Sequence, residues 1–260
     1  MTRPAQPDLL ICAGLDPSGG AGLIADVRIA SELGARPIGV VTALTVQSTL
    51  GVIGCHACDP EVVSHQLSYL LGDIEARAVK IGMIGSAAIV REIARALEQT
   101  RAPVVWDPVL ASSRGGVDLA GGSLGDAALA FRPHLALVTP NARELAAMTD
   151  LPVATLAEAE AAAKELALRL DCAVLAKGGH LGGDEAVDLL IEQTGVTALR
   201  GPRVPDGENV HGTGCALSTA VAAYLALGTP LAEACSLAKQ LVACKIAAPV
   251  RPGRGAPAII

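Results

Sequence analysis

The chain has 260 residues, 51% of them hydrophobic, and a net charge of −6. That apolar share is enough to fill a sizeable core. One Trp, two Tyr and one Phe in an acidic chain offer neither a basic footprint nor a stacking platform for bases, which argues against nucleic acid as a partner.

The first apolar run, DLLICAG (8–14), is cut short by Asp8 and Asp16, so it reads as a buried strand and not as a leader or membrane segment. The nearest approach to a span, 215–228, falls short of the roughly 20 apolar residues a bilayer requires. Seven cysteines, an odd number, are scattered through apolar segments such as LLICAG, DCAVLAK and LVACKIA, which speaks against a disulfide framework. A cytoplasmic protein that meets no membrane is expected. Cys55, His56 and Cys58 form a metal-like cluster, but no second pair completes four ligands, and the segment reads as a strand end with buried thiols.

After DLLICAG, further strands are predicted at PIGVVTAL, ARAVKIGM, APVVWD, LALVT and CAVLAK. Helices are predicted at about 20–33, 60–72, 86–99, 123–131, 141–149, 155–169, 213–227 and 230–246, each bounded by Gly, Pro, Ser, Asn or Asp. This alternation is that of strands joined by helical crossovers, an α/β architecture with a mostly parallel sheet. AVDLLIEQ and VTALRGPRV, separated by Thr194 and Gly195, read as an antiparallel hairpin added to an edge. With no repeat or linker, 1–260 is expected to be one domain.

Ligands of such sheets gather beyond the carboxyl ends of the strands, and each predicted strand here ends in polar or glycine-rich residues. Asp16 and the GGAG turn follow the first, Gln47 the second, Met83 the third, Asp107 the fourth, Asn141 and Glu144 the fifth and Lys177 the sixth. GLDPSGGAGLIAD is not a P-loop, because Gly20 and Ala21 stand where Lys and Ser or Thr are needed, and it has no GxGxxG. Its glycines are open to a structural or a functional reading. Asp26 is open to reading as a solvated helix charge. Asp107 and Glu144 offer hard oxygens of the kind magnesium takes, one or two at a time; caps and solvated charges would explain each singly. Lys177 in AKGGH suits phosphate or a hairpin turn, and His180 and His211 read as turn residues.

VHGTGCALSTAVAAYL (210–225) sets Gly212 and Gly214 before a long run of helix formers, with Cys215 at the junction. A helix start has about four unpartnered N–H groups and a partial positive charge, so it attracts anions. The same field is expected to lower the thiol pKa of Cys215.

Taken together, GLDPSGGAGLIAD, TALTVQST, KIGMIG, VVWDPV, TPNARE, AKGGH and VHGTGCALS resemble, in order and spacing, the hydroxymethylpyrimidine/phosphomethylpyrimidine kinases of thiamine biosynthesis over about residues 9 to 246. The resemblance implies a ribokinase-like three-layer α/β/α fold and MgATP-dependent phosphorylation of 4-amino-5-hydroxymethyl-2-methylpyrimidine, then of its monophosphate. It implies a pyrimidine pocket of Gly14, Ala21, Asp26, Gln47, Met83 and Val109, with Asn141 and Lys177 toward ATP and Asp107 and Glu144 toward Mg2+. Gly212, Thr213 and Gly214 would form an anion hole, and Cys215 would be the general base. Pyridoxal kinase, or a binding module without catalysis, is the alternative. Relatives are often dimers, which adds a homodimer to the expectations. Ile24, Ser48, Leu15 and Arg114 depart from the usual pattern, as does the RPGRGAPAII ending, for which no role is carried over.

Overall fold

The computed structural model describes residues 6–110, 122, 124–179 and 185–259. In chain order the elements are β1 (Asp8–Leu15), α1 (Gly22–Glu32), β2 (Arg36–Ser48), β3 (Gly51–Ala57), α2 (Pro60–Asp73), β4 (Ala78–Ile81), α3 (Ala87–Leu97), β5 (Val104–Trp106) and α4 (Leu124–Phe131). There follow β6 (Leu135–Val138), α5 (Ala142–Thr149), α6 (Leu156–Leu170), β7 (Ala173–Ala176), β8 (Glu185–Glu192), β9 (Gly195–Pro202), α7 (Thr213–Ala226) and α8 (Leu231–Ala247). They build one sheet in the order β3-β2-β1-β4-β5-β6-β7-β8-β9.

The six inner strands, β2-β1-β4-β5-β6-β7 in sheet order, pair in parallel. Their side chains alternate between two apolar layers because the strand period is two. Leu10 and Cys12 of β1 face the layer formed with α2 to α6, where Trp106 meets Phe131 edge-on at 5.6 Å. Leu9, Ile11 and Ala13 face α1, α7 and α8. Helix α7 contributes Ala216, Ala220, Ala222 and Ala223, all fully buried, so its backbone can lie close to the sheet and its first turn reaches the strand ends.

The expected edge hairpin is present as β8 and β9, with Glu192 opposite Gly195. A second antiparallel edge corrects the sequence reading. β2 runs on past Leu44 to Ser48 and turns back as β3, so Cys55 and His56 lie inside a strand and not at a strand end, and Cys55 and Cys58 are half-buried instead of buried. The outer half of β2 is largely exposed and β3 carries Gly51 and Gly54, so neither shows the apolar run that marks the inner strands. No disulfide and no helix long and apolar enough to cross a membrane occur among the described residues.

From β1 the chain moves to β2 on one side, then returns to β4 on the other. This reversal is where an open α/β sheet offers a crevice at its carboxyl edge.

Candidate active site

A cavity of about 410 Å³ occupies that edge. Strand order assigns its two ends. Gly14, Ala21, Gln47, Met83 and Val109 line the end toward β1 and β2; Asn141, Glu144 and Lys177 lie toward β7, with Arg203, Lys239 and Ile246 beyond them. Asp107 and the turn Gly212, Thr213, Gly214 and Cys215 also line it.

Gly212 has φ +87°, and a side chain there would overlap the Gly20 carbonyl; one on Gly14 would strike the Met83 methyl. Glycine thus lets the start of α7 nest against the turn after β1. That first helical turn has no acidic residue and no side-chain cap, and its first intrahelical bond runs from the Ala216 N–H to the Gly212 carbonyl at 2.9 Å. The N–H groups of Thr213, Gly214 and Cys215 precede that bond, on residues that border the cavity, as an anion site requires.

Lys177 approaches Asp107 Oδ1 at 2.8 Å and Glu144 Oε2 at 3.7 Å. A β-carbon on Gly214 would lie 3.3 Å from its Nζ, so the ammonium sits beside the first turn of α7. Burial opposes charge on Asp107, but Lys177 and Lys80 prevail and hold its carboxyl below the ordinary value. Burial pushes Glu144 up despite Lys177, and the nearby Asp107 adds to this. Glu144 also completes a capping box: it accepts from the Asn141 N–H at 2.7 Å while the Asn141 side chain accepts from the Glu144 N–H at 3.0 Å. TPNARE therefore caps a helix and presents its carboxylate to the cavity with the same residues. The Gly178 N–H donates to Asp188, which Lys239 holds at 2.7 Å, and this fixes the turn after Lys177. Two carboxylates already sharing one cation suit Mg2+, which takes few protein ligands and keeps water and phosphate; no group of three or more acidic, His or Cys side chains placed to hold a metal ion exists among the described residues.

Asp26 does not line the cavity. It is fully buried, pairs with Lys80 at 2.5 Å and accepts from Thr219 at 2.7 Å. Neither the solvated charge nor the pocket wall describes it: a carboxylate this deep needs partners for both oxygens, and Lys80 and Thr219 supply them. Burial works against charge on Lys80, but Asp26 keeps it an ammonium. The Cys215 thiol corrects a second expectation. Burial pushes it up to about 11, with Asp26 and Asp107 adding to the rise, and Lys80 and the Gly22 N–H do not offset this. The resting residue is a neutral thiol.

Gln47 lies 2.9 Å from His211 Nε2, which lies 3.2 Å from Asp16 Oδ2. Asp16 also accepts from the Ser18 and Ala21 N–H groups at 2.8 and 3.0 Å. Sequence reasoning missed Lys80 and underrated His211. A lysine within the apolar AVKIG was the available sign of a buried pair. Nothing local marked the C-terminal segment, whose Ala256 N–H reaches the Thr49 carbonyl at 2.8 Å and whose Pro257 carbonyl accepts from the His211 N–H at 2.8 Å. Arg114 and His180 lie outside the described residues.

A family model described as phosphomethylpyrimidine kinase matches residues 16–259. The chain belongs to that family. It is 38% identical to the hydroxymethylpyrimidine/phosphomethylpyrimidine kinase of Rhizobium meliloti over 251 residues, 95% of this chain and 94% of the relative. The crystal structure of a Clostridium difficile phosphomethylpyrimidine kinase superimposes with a TM-score of 0.78 at 33% identity, covering 93% of this chain and all of the other. A pyridoxal kinase from Staphylococcus aureus, solved with AMP-PCP and pyridoxal, gives 0.86 at 26% identity over 98% and 93%. The fold is thus the ribokinase-like one that these vitamin kinases share.

Proposed function

We propose that this kinase transfers the γ-phosphoryl of ATP to the hydroxymethyl group of 4-amino-5-hydroxymethyl-2-methylpyrimidine, and then to the resulting monophosphate. The observation that carries the assignment is the meeting, in one cavity, of an uncapped helix start, a lysine between two carboxylates and a glutamine at the opposite end. Family membership and 38% identity, over 95% of the chain, to a named enzyme of this activity support it over pyridoxal phosphorylation.

In this reading Gln47 addresses the ring nitrogen and amino group, since an amide both donates and accepts. Gly14, Ala21, Met83 and Val109 give the ring flat apolar walls. Asn141 and Lys177 face the ATP phosphates, and the N–H groups of Gly212 to Cys215 receive the moving phosphoryl. Asp107 and Glu144 would hold Mg2+, which when bound neutralises phosphate charge. Lys177 keeps the two carboxylates from repelling each other. Cys215 is neutral at rest and so does not repel the incoming phosphate; it acts as the base in the fraction that has already lost its own proton to solvent, the thiolate then accepting the proton of the attacking hydroxyl, and a loose transition state demands little of a base until late.

Parallel ATP-consumption assays with the pyrimidine and with pyridoxal test the assignment. The kcat/KM for the pyrimidine is expected to exceed that for pyridoxal, with mono- and diphosphate products by mass spectrometry. A higher value for pyridoxal overturns it, and a phosphocysteine formed during turnover would replace direct transfer with a two-step route.

A further inference from the structure

His211 Nε2 faces two partners at once, Asp16 Oδ2 at 3.2 Å and the Gln47 amide at 2.9 Å. Burial raises the Asp16 carboxyl, but bonds from His211 and Ser18 outweigh it and keep Asp16 ionised. A bare ring nitrogen toward a carboxylate would set lone pair against lone pair, so Nε2 carries a proton. With Gln47 Nε2 turned to the ring, two N–H donors would then oppose each other. Rotated by half a turn, the amide offers Oε1 to that proton, which Gln47 then shares with Asp16 Oδ2.

The other end of the amide demands the same orientation. Thr45 donates its only hydroxyl proton to the Leu15 carbonyl at 2.9 Å, and its oxygen lies 3.4 Å from that end. Only an NH2 group can use the remaining lone pairs. The backbone that carries the ring is held from behind: the His211 main-chain N–H donates to the Pro257 carbonyl at 2.8 Å, and the Ile259 N–H donates to the His211 carbonyl at 3.2 Å.

We propose that His211 is a positioning residue for substrate recognition, its Nε2 proton fixing which end of the Gln47 amide faces the ring of the substrate. Asp16 orients His211, His211 and Thr45 orient Gln47, and the C-terminal segment clamps the backbone that carries the imidazole. This rests on Gln47 lining the substrate end of the cavity. A glutamine so fixed presents one donor and acceptor pattern, and ligands with the reverse pattern leave polar groups unpaired.

Histidine 15N–1H correlation spectra of the wild-type protein, with His211 assigned by the signal lost in His211→Gln, are expected to report a protonated Nε2; an unprotonated Nε2 overturns the proposal. His211→Leu is expected to raise KM for the pyrimidine about tenfold, the scale of one hydrogen bond, while kcat and KM for ATP stay within about twofold. His211→Gln, which retains an N–H donor, should recover most of the loss. In a Gln47→Ala background, His211→Leu should add less than about twofold, because the two residues act as a unit. If Gln47→Ala raises KM and His211→Leu does not, the positioning role fails and Gln47 keeps its place. If Gln47→Ala leaves KM unchanged, both fail.

Discussion

Lys80 and Lys177 each lie within hydrogen-bond reach of a carboxylate on the sheet's carboxyl side, 2.5 Å from Asp26 and 2.8 Å from Asp107. Lys80 and Asp26 are both 0% exposed, and Asp26 has its second oxygen filled by Thr219, so the pair ties β4 to α1 and α7 even though Lys80 also borders the cavity. Lys177 keeps 14% of its side chain exposed, shares its charge with a more distant Glu144 and stands next to the first turn of α7. Chemically similar pairs thus divide by exposure. The fully buried pair holds elements together, whereas the partly exposed one has charge to offer a ligand.

Breaking the closed pair is expected to have the largest effect. Asp26→Leu leaves a buried ammonium unpaired and should cost about 3–5 kcal/mol in urea denaturation, with Asp26→Leu/Lys80→Met recovering most of it. A single-mutant loss below about 1 kcal/mol would mean that water reaches Lys80.

Breaking the open pair should be felt first in catalysis. Lys177→Met is expected to raise KM for ATP roughly 10- to 100-fold, the range of one or two charge-assisted bonds, while calorimetry finds pyrimidine affinity within about twofold. Equal loss of both affinities would remove Lys177 from the nucleotide end. Its stability cost should also depend on pH. The Glu144 carboxyl is already raised by burial, and loss of the ammonium raises it further. Ionising a carboxyl whose folded pKa exceeds its unfolded value opposes folding. The variant should therefore be least impaired at acid pH and lose stability as pH climbs through that raised value. A pH-independent difference from wild type would contradict the arrangement.

The same distinction governs what the sequence made legible. Inner strands and their helices carry apolar runs and caps, so their order could be read directly, as could the glycines and polar residues at the strand ends. TPNARE even encodes its capping box in the three-residue spacing of Asn141 and Glu144. The fate of Asp26 was not legible: a helix period gives a face, but only the packing of α7 on α1 brings Thr219 to it, 193 residues away. β3 lacked an apolar signature because one face is solvated. The C-terminal segment acts through main-chain bonds to Thr49 and His211, which sequence composition does not record. Cys215 was misjudged for a related reason: local sequence announces the helix end, while the burial and the two carboxylates that raise its pKa come from distant strands and helices.

Cys215→Ser is expected to have the smallest effect of these variants on binding, and it bears most directly on how the site works. The deciding measurement is kcat for wild type and Cys215→Ser across pH 6 to 9. With a thiol at about 11, wild-type kcat should climb with pH and reach no plateau in that range, as the thiolate fraction grows. Cys215→Ser should lie roughly tenfold or more lower at pH 8 and lose the slope, with both KM values near wild type, as expected on removing a general base. A wild-type profile that is flat, or a serine variant that keeps both the rate and the slope, would contradict the role of Cys215 as the base.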